Sequence, residues 1–161
     1  GGSSENMKLV FLILTFFVTN NLIAKDNDFY NSIIENSRLT KLSEYLNASD
    51  LKEEILALED ITVFAPLDDA FAALSAKTYY GYLKEDNKNK LRNLLNFHFV
   101  EGKFFTDNIT DSINTLSLNG LDIEIKKVNG ILYFNGAEVV VSDIPFRNGY
   151  IHLINRVLIP K

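Results

Sequence analysis

Cysteine and tryptophan are absent from this 161-residue chain, and histidine occurs only twice, as His98 and His152. Without a thiol there is no cysteine nucleophile, no thiolate metal site and no disulfide staple, so packing alone has to hold the fold. The lack of disulfides leaves the compartment open, because a large enough core manages without them even under oxidising conditions. Two imidazoles exclude a histidine-rich metal site within one chain and leave a Ser-His-Asp triad as the hydrolase arrangement that could still be assembled. Also missing are G-x-G-x-x-G, the P-loop, H-E-x-x-H, G-x-S-x-G and the EF-hand loop, each of which would bring its own mechanism. No cofactor is expected. A basic patch is lacking too: net charge is −5, the sequence pI is near 5.0 and the cations are scattered, which argues against a nucleic acid partner. The densest basic stretch, Lys84 to Arg92, is interleaved with Glu85, Asp86 and two asparagines and reads as a solvated helix with its preceding turn.

What the chain has in quantity is apolar mass. Hydrophobic residues make up 47%, with twelve Phe and seven Tyr, enough for one packed interior. Residues 1–6 precede Met7 and are set aside as upstream sequence. Met7-Lys8 and the apolar run Leu9 to Val18, followed by a polar stretch ending at Ala24, predict a secretory signal peptide over 7–24. Asn20 and Asn21 interrupt the run well short of the roughly 20 apolar residues a membrane span needs. An uncleaved anchor and a buried first helix are the competing readings. A single domain is expected over 25–161, with no membrane contact beyond the signal segment.

From Asp28 to Leu58 the apolar residues recur three to five apart, which predicts two or three short helices with Ser49 or Asp50 as an N-cap. Ile61 to Ala65 is a β-prone run stopped by Pro66, after which Asp68 is placed to cap a helix running through Phe71 and Leu74. Leu91, Leu94 and Leu95 mark another amphipathic helix that passes into a strand through Phe97 and Phe99. Beyond residue 118 the pattern changes. Asn-Gly occurs at 119–120, 129–130, 135–136 and 148–149, between runs rich in Ile, Val, Leu and Tyr, as two-residue hairpin turns require. Leu121 to Lys126 alternates apolar and charged residues, and Ile131 to Phe134, Val139 to Val141 and Tyr150 to Ile154 supply further strands. This spacing suits antiparallel sheet, not a parallel βαβ nucleotide site.

Each histidine lies among large apolar residues, which favours a buried imidazole bonded to backbone over a catalytic one. Asp68, Asp69 and Asp107 are conceivable calcium ligands, but Asp68 already has a use as a cap, and no metal is expected. Two sequons, Asn47-Ala48-Ser49 and Asn108-Ile109-Thr110, fall in predicted loops and would be N-glycosylated only in a eukaryotic secretory pathway.

Three segments taken together resemble the fasciclin-like (FAS1) domain family. They are Thr62-Val63-Phe64-Ala65-Pro66-Leu67-Asp68-Asp69-Ala70-Phe71, then Leu94-Leu95-Asn96-Phe97-His98-Phe99-Val100-Glu101-Gly102, and last Gly149-Tyr150-Ile151-His152-Leu153-Ile154-Asn155-Arg156-Val157-Leu158-Ile159-Pro160. Their order and spacing agree with the family, and the intervening Asn-Gly hairpins extend the resemblance over roughly residues 29–160. The resemblance implies an α+β fold, a β-wedge of two mainly antiparallel sheets with several short helices packed around it. It makes Thr62, Phe64, Pro66, Asp68, Phe71, His152, Asn155 and Val157 signature positions and carries the family's tyrosine-histidine motif onto Phe97 and His98. Three departures stand out: Phe97 where tyrosine is common, Leu67 where Thr or Ser follows Ala-Pro, and Asn155 where Asp is frequent.

The implied function is a secreted, non-enzymatic adhesion module, extracellular or periplasmic. It would be monomeric and would contact a cell-surface or matrix protein or polysaccharide near Phe97 and His98. Two alternatives from other classes remain. One is a hydrolase using His98 or His152 with Asp107 or Asp143. The other is a small-ligand carrier, which requires an apolar cavity in place of a filled core.

Overall fold

The strand run and the hairpin region converge on one sheet. A computed structural model describes residues 27–161, so the signal segment expected over 7–24 and the upstream residues 1–6 lie outside the described residues. Helices come first, as the three-to-five spacing predicts: α1 (Phe29–Ile34), α2 (Thr40–Ser49) and α3 (Lys52–Leu56). Asp28 caps α1, its carboxylate accepting the Asn31 amide at 2.8 Å. Strand β1 (Ile61–Pro66) follows, then α4 (Asp68–Phe71), α5 (Ala76–Tyr82) and α6 (Lys88–Asn96). The carboxy-terminal half is β2 (Phe99–Glu101), β3 (Ser112–Leu116), β4 (Asp122–Val128), β5 (Ile131–Phe134), β6 (Ala137–Phe146) and β7 (Gly149–Ile154).

The strand order is β2-β1-β7-β6-β5-β4-β3. It divides into two ladders that share β6: Ala137 and Glu138 pair with β5, while Val139 to Phe146 pair with β7 through two register shifts. Irregularities of this kind bend a strand, and they fall where β6 passes from one ladder to the other. At one end the sheet's two edges meet, where Ser117 bridges Val100. The architecture is therefore α+β, a wedge of two ladders with helices packed against it. Its pairs are antiparallel with one exception. The six residues of β1 run parallel to β7, from Ile61 opposite Gly149 to Pro66 opposite Ile154. Turn spacing could not reveal this pair, since its two strands are more than eighty residues apart and all the intervening elements form the crossover.

Every residue of β1 is buried, which explains why it is apolar apart from Thr62, whose hydroxyl is hydrogen-bonded. Val63 and Ala65 face a core built with Phe29, Leu42, Tyr45, Phe71, Tyr79 and Leu94 from the helices. Phe64 faces a second core with Ile123, Ile125, Leu132, Phe134 and Leu158 from the hairpins. Its ring stacks on Phe134 at 4.0 Å between centroids. Strand β1 ends at Pro66, as the sequence suggests, with the proline as its last residue and the Leu67 amide bonding Ile154 O just beyond it.

Several local expectations are corrected. Ser49 is the last residue of α2 and Asp50 its left-handed C-cap, at φ 59°, so neither is an N-cap. Asp68 does not cap its own helix. Its two carboxylate oxygens accept from Lys41 N at 2.8 Å and Thr40 Oγ1 at 2.7 Å, at the start of α2 twenty-seven residues upstream. Leu67 precedes α4 without a side-chain cap and is buried in the helical core. The helix through Phe71 does not reach Leu74 as one element, because Ser75 caps a new one by accepting the Thr78 amide. The basic stretch from Lys84 to Arg92 is more than a solvated face: Lys88 pairs with Asp50, and Arg92 bonds Ser49 O and Glu54.

Candidate functional site

Helix α6 ends at Asn96, and Phe97 and His98 make the corner into β2. Both are buried, His98 at 2% and Phe97 at 8% exposed, but their surroundings differ. The His98 ring is 2% exposed, with Nδ1 at 2.9 Å from Leu94 O and Nε2 accepting the Leu158 amide at 3.0 Å. An amide can only donate, so Nε2 is the bare nitrogen and Nδ1 carries the proton. Burial pushes the imidazole pKa down to about 4 against the opposing pull of the Leu94 carbonyl, keeping the ring neutral. His98 thus clasps the segment after β7 to the end of α6.

Phe97 instead lines an open groove of about 570 Å³ with Leu121, Asp122, Glu124, Asn135, Leu158, Ile159 and Lys161. The groove wall includes Leu158, the residue whose amide His98 holds, so His98 supports from inside the groove that Phe97 lines. Leu121 and Ile159 are exposed apolar side chains there, and Asp122 and Glu124 lie on the solvent face of β4. Apart from Phe97, none of these residues is singled out as a binding residue by the sequence. They come from four separate segments, and only the fold brings them together.

His152 is likewise fully buried. Its Nδ1 accepts the Asp143 amide at 3.1 Å and its Nε2 donates to Phe104 O at 2.7 Å. Burial lowers its pKa, opposed by the Phe104 carbonyl and by the Asp143 carboxylate. Asp143, one of the two acids considered for a hydrolase, does come close. Its Oδ1 is 3.9 Å from Nδ1, too far for a hydrogen bond, and accepts the Thr106 amide at 2.9 Å instead. Asp143 sits at φ 62° in the irregular middle of β6, and His152 holds that bulge in place. Asp107 lies exposed in a 3-10 turn, Thr106–Asn108. With all four ring nitrogens bonded to backbone, neither imidazole is free to act as a general base.

The remaining signature positions are structural. Thr62 Oγ1 donates to Gly102 O at 2.7 Å and accepts the Phe104 amide at 2.9 Å, fastening β1 to the loop after β2. Asn155 exchanges two bonds with Glu138, through its amide and its Oδ1, so the carboxamide acceptor suffices where a carboxylate is frequent. Val157 is buried in the helical core. Of the sequons, Asn47 lies within α2, not in a loop, and its Ser49 is fully buried with its hydroxyl bonded to Leu46 O. Asn108 is exposed in the 3-10 turn, where its Oδ1 accepts the Phe105 amide. Among the described residues no group of three or more acidic or imidazole side chains could hold a metal ion, and no helix is long and apolar enough to cross a membrane.

Comparison with known proteins accords with this architecture. The sequence model of the Fasciclin domain matches residues 37–160. The chain belongs to the fasciclin domain family. Protein sll1483 of Synechocystis sp. is 38% identical over 125 residues, 78% of this chain and 69% of that protein. Human periostin is 29% identical over 139 residues, covering 84% of this chain but only 16% of periostin. The fasciclin-like arabinogalactan protein CTB11 of Cercospora beticola is 30% identical over 136 residues, with 35% of its length covered. The chain thus spans a minor part of the last two. A solved FAS1 domain pair from the insect cell adhesion molecule Fasciclin I superposes with a TM-score of 0.60 at 24% identity, over 78% of this chain and 47% of that one. The likeness to that pair is one of fold.

Proposed function

We propose that this fasciclin-domain chain is a non-enzymatic, adhesion-type binding module that works outside the cytoplasm. Its partner would be a cell-surface or extracellular protein or polysaccharide, held in the groove at Phe97. The observation that carries the reading is the groove itself, an open concavity joining exposed Leu121 and Ile159 to Asp122 and Glu124 on a domain whose two cores are filled. Mixed apolar and charged lining suits a macromolecular contact, in which a desolvated apolar centre is ringed by polar groups. The family membership points the same way, since the solved relative comes from a cell adhesion molecule. Two locked imidazoles weigh against the hydrolase alternative, and an open groove suits a carrier of small apolar ligands less well than an enclosed cavity would.

The test is binding of the purified chain to cells, envelope polysaccharide and secreted proteins, with Leu121→Asp and Ile159→Asp as groove variants. Both residues are exposed, so the melting temperature should hold while binding falls at least about tenfold. Retained binding by both variants would move the contact elsewhere, and a folded chain that bound none of the three classes at tens of micromolar would end the proposal.

A further inference from the structure

Four Asn-Gly dipeptides with the same local chemistry sit in four different environments, and one of them stands apart. Asn-Gly is the dipeptide in which a backbone amide most readily attacks the preceding side chain, because glycine offers no Cβ to obstruct it. Three of the four asparagines are tied down. Asn135 Oδ1 accepts the Glu124 amide at 2.8 Å, and the Arg156 guanidinium lies over its turn, 3.2 Å from where a Cβ of Gly136 would be. Asn119 receives the Leu121 amide and donates to Asn93 Oδ1, with Ser117 Oγ on its own Oδ1. Asn148 Nδ2 donates to Leu58 O at 2.7 Å, and the following Gly149 is pressed against Ile61 O in the parallel seam.

Asn129 has no such bond among the described residues. It forms the tip of the β4–β5 hairpin with φ 52°, followed by Gly130 at φ 81°, and is exposed. The pair that closes this hairpin, Val128 opposite Ile131, is itself 40% and 41% exposed. Little burial therefore opposes opening of the turn, so local opening is easy here and difficult in the buried seam.

We propose that Asn129-Gly130 is a site of spontaneous deamidation and isoaspartate formation, selected over the other three Asn-Gly pairs by the fold. The Gly130 amide nitrogen, losing its proton, forms a bond to Asn129 Cγ as the Cγ–Nδ2 bond breaks and ammonia leaves. Water then opens the five-membered imide at either carbonyl, giving aspartate or isoaspartate at 129. Either product adds one negative charge to a chain of net charge −5. Isoaspartate also inserts a methylene into a two-residue turn whose geometry fixes the strand register, which loosens the β4–β5 pairing at its tip.

The experiment is ageing of the full chain in warm, mildly alkaline buffer, with and without strong denaturant. Peptide mass mapping and isoaspartyl methyltransferase labelling then follow each of the four sites. In the native chain Asn129 should convert at least about fivefold faster than Asn119, Asn135 or Asn148, the factor expected when one retained hydrogen bond must break at each of the others. In denaturant the four rates should converge to within about twofold, because the bonds that set them apart are gone. Equal native rates, or an Asn129 lead that survives denaturation, would overturn the assignment. Asn129→Gln should abolish the conversion at 129 and leave the other three rates unchanged.

Discussion

On one side of β1, helices α1 to α6 close over a core of interlocking rings, in which Tyr45 meets Phe71 edge-on and stacks on Tyr79. On the other, the β3–β6 hairpins supply one inner face to a smaller core and leave their outer face in water, as the alternating burial of β4 records. Strand β1 contributes to both cores, with Val63 and Ala65 in one and Phe64 in the other. The difference shows why the groove belongs to the hairpin side. The concavities among the helices are smaller, about 210 and 280 Å³ against about 570 Å³, because helices pack along their sides whereas the hairpins remain open at their ends. There the Leu158-Ile159 segment, held by His98, lies against Phe97.

If β1 and β7 form the seam that both cores share, the largest effect should come from crowding it. A Cβ at Gly149 would lie 1.6 Å from Ile61 O, so Gly149→Ala should cost more than about 3 kcal/mol in urea unfolding. A variant as stable as the parent would show that the seam can yield and the cores can separate. Next come the rings on either side. Phe64→Ala and Phe71→Ala should each cost about 3 to 5 kcal/mol, but only Phe64→Ala should disturb ligand binding, because its ring belongs to the core shared with Phe97 and Leu158. Equal loss of binding in both would merge the two regions into one.

The hairpin side should also be the acid-sensitive side. His98 has its folded-state pKa depressed from 6.5 to about 4, so the unfolded chain binds more protons between those values. Stability is then full above pH 6.5 and falls as pH drops towards 4, by on the order of 3 kcal/mol. His98→Gln should flatten that slope in melts run across this pH range, and a slope unchanged by the substitution would assign the acid sensitivity to other groups. A smaller effect is expected at the helical side's remote cap. Asp68→Ala frees the Lys41 amide and should cost about 1 to 2 kcal/mol, lost from α2 and not from α4, as amide exchange would locate. Smallest of all is Ile131→Thr on the outer hairpin face, which should stay within about 0.5 kcal/mol in thermal melts.

Local chemistry was legible wherever a residue's partner is its near neighbour. The helical spacing after Asp28, the strict alternation before Lys126 and the Asn-Gly turns all announced elements that form. Asn129 and Asn135 take the positive φ that such hairpin turns need, while Asn148-Gly149 carries the same two letters for another reason, the close approach of β7 to β1. Strand β3 went unforeseen, since the turn-prone Ser112 and Asn114 interrupt Ile113 and Thr115, and its half-buried state depends on β4 beside it. Asp68 was rightly read as a cap but given to the wrong helix, because capping across twenty-seven residues leaves no trace in local spacing.

Taken alone, the sequence determined the lack of thiol chemistry and the apolar surroundings of both histidines from composition and short-range pattern, and through its resemblance to the fasciclin family it implied the α+β class. Tertiary structure decided which nitrogen of each imidazole carries the proton and that β1 pairs in parallel with β7. It also set the edge of the buried Phe97 ring on a groove and, among the described residues, left one of four Asn-Gly pairs without a restraining side-chain bond. Each of these depends on contacts between residues far apart in the chain, and such contacts exist only once the strands have been brought side by side.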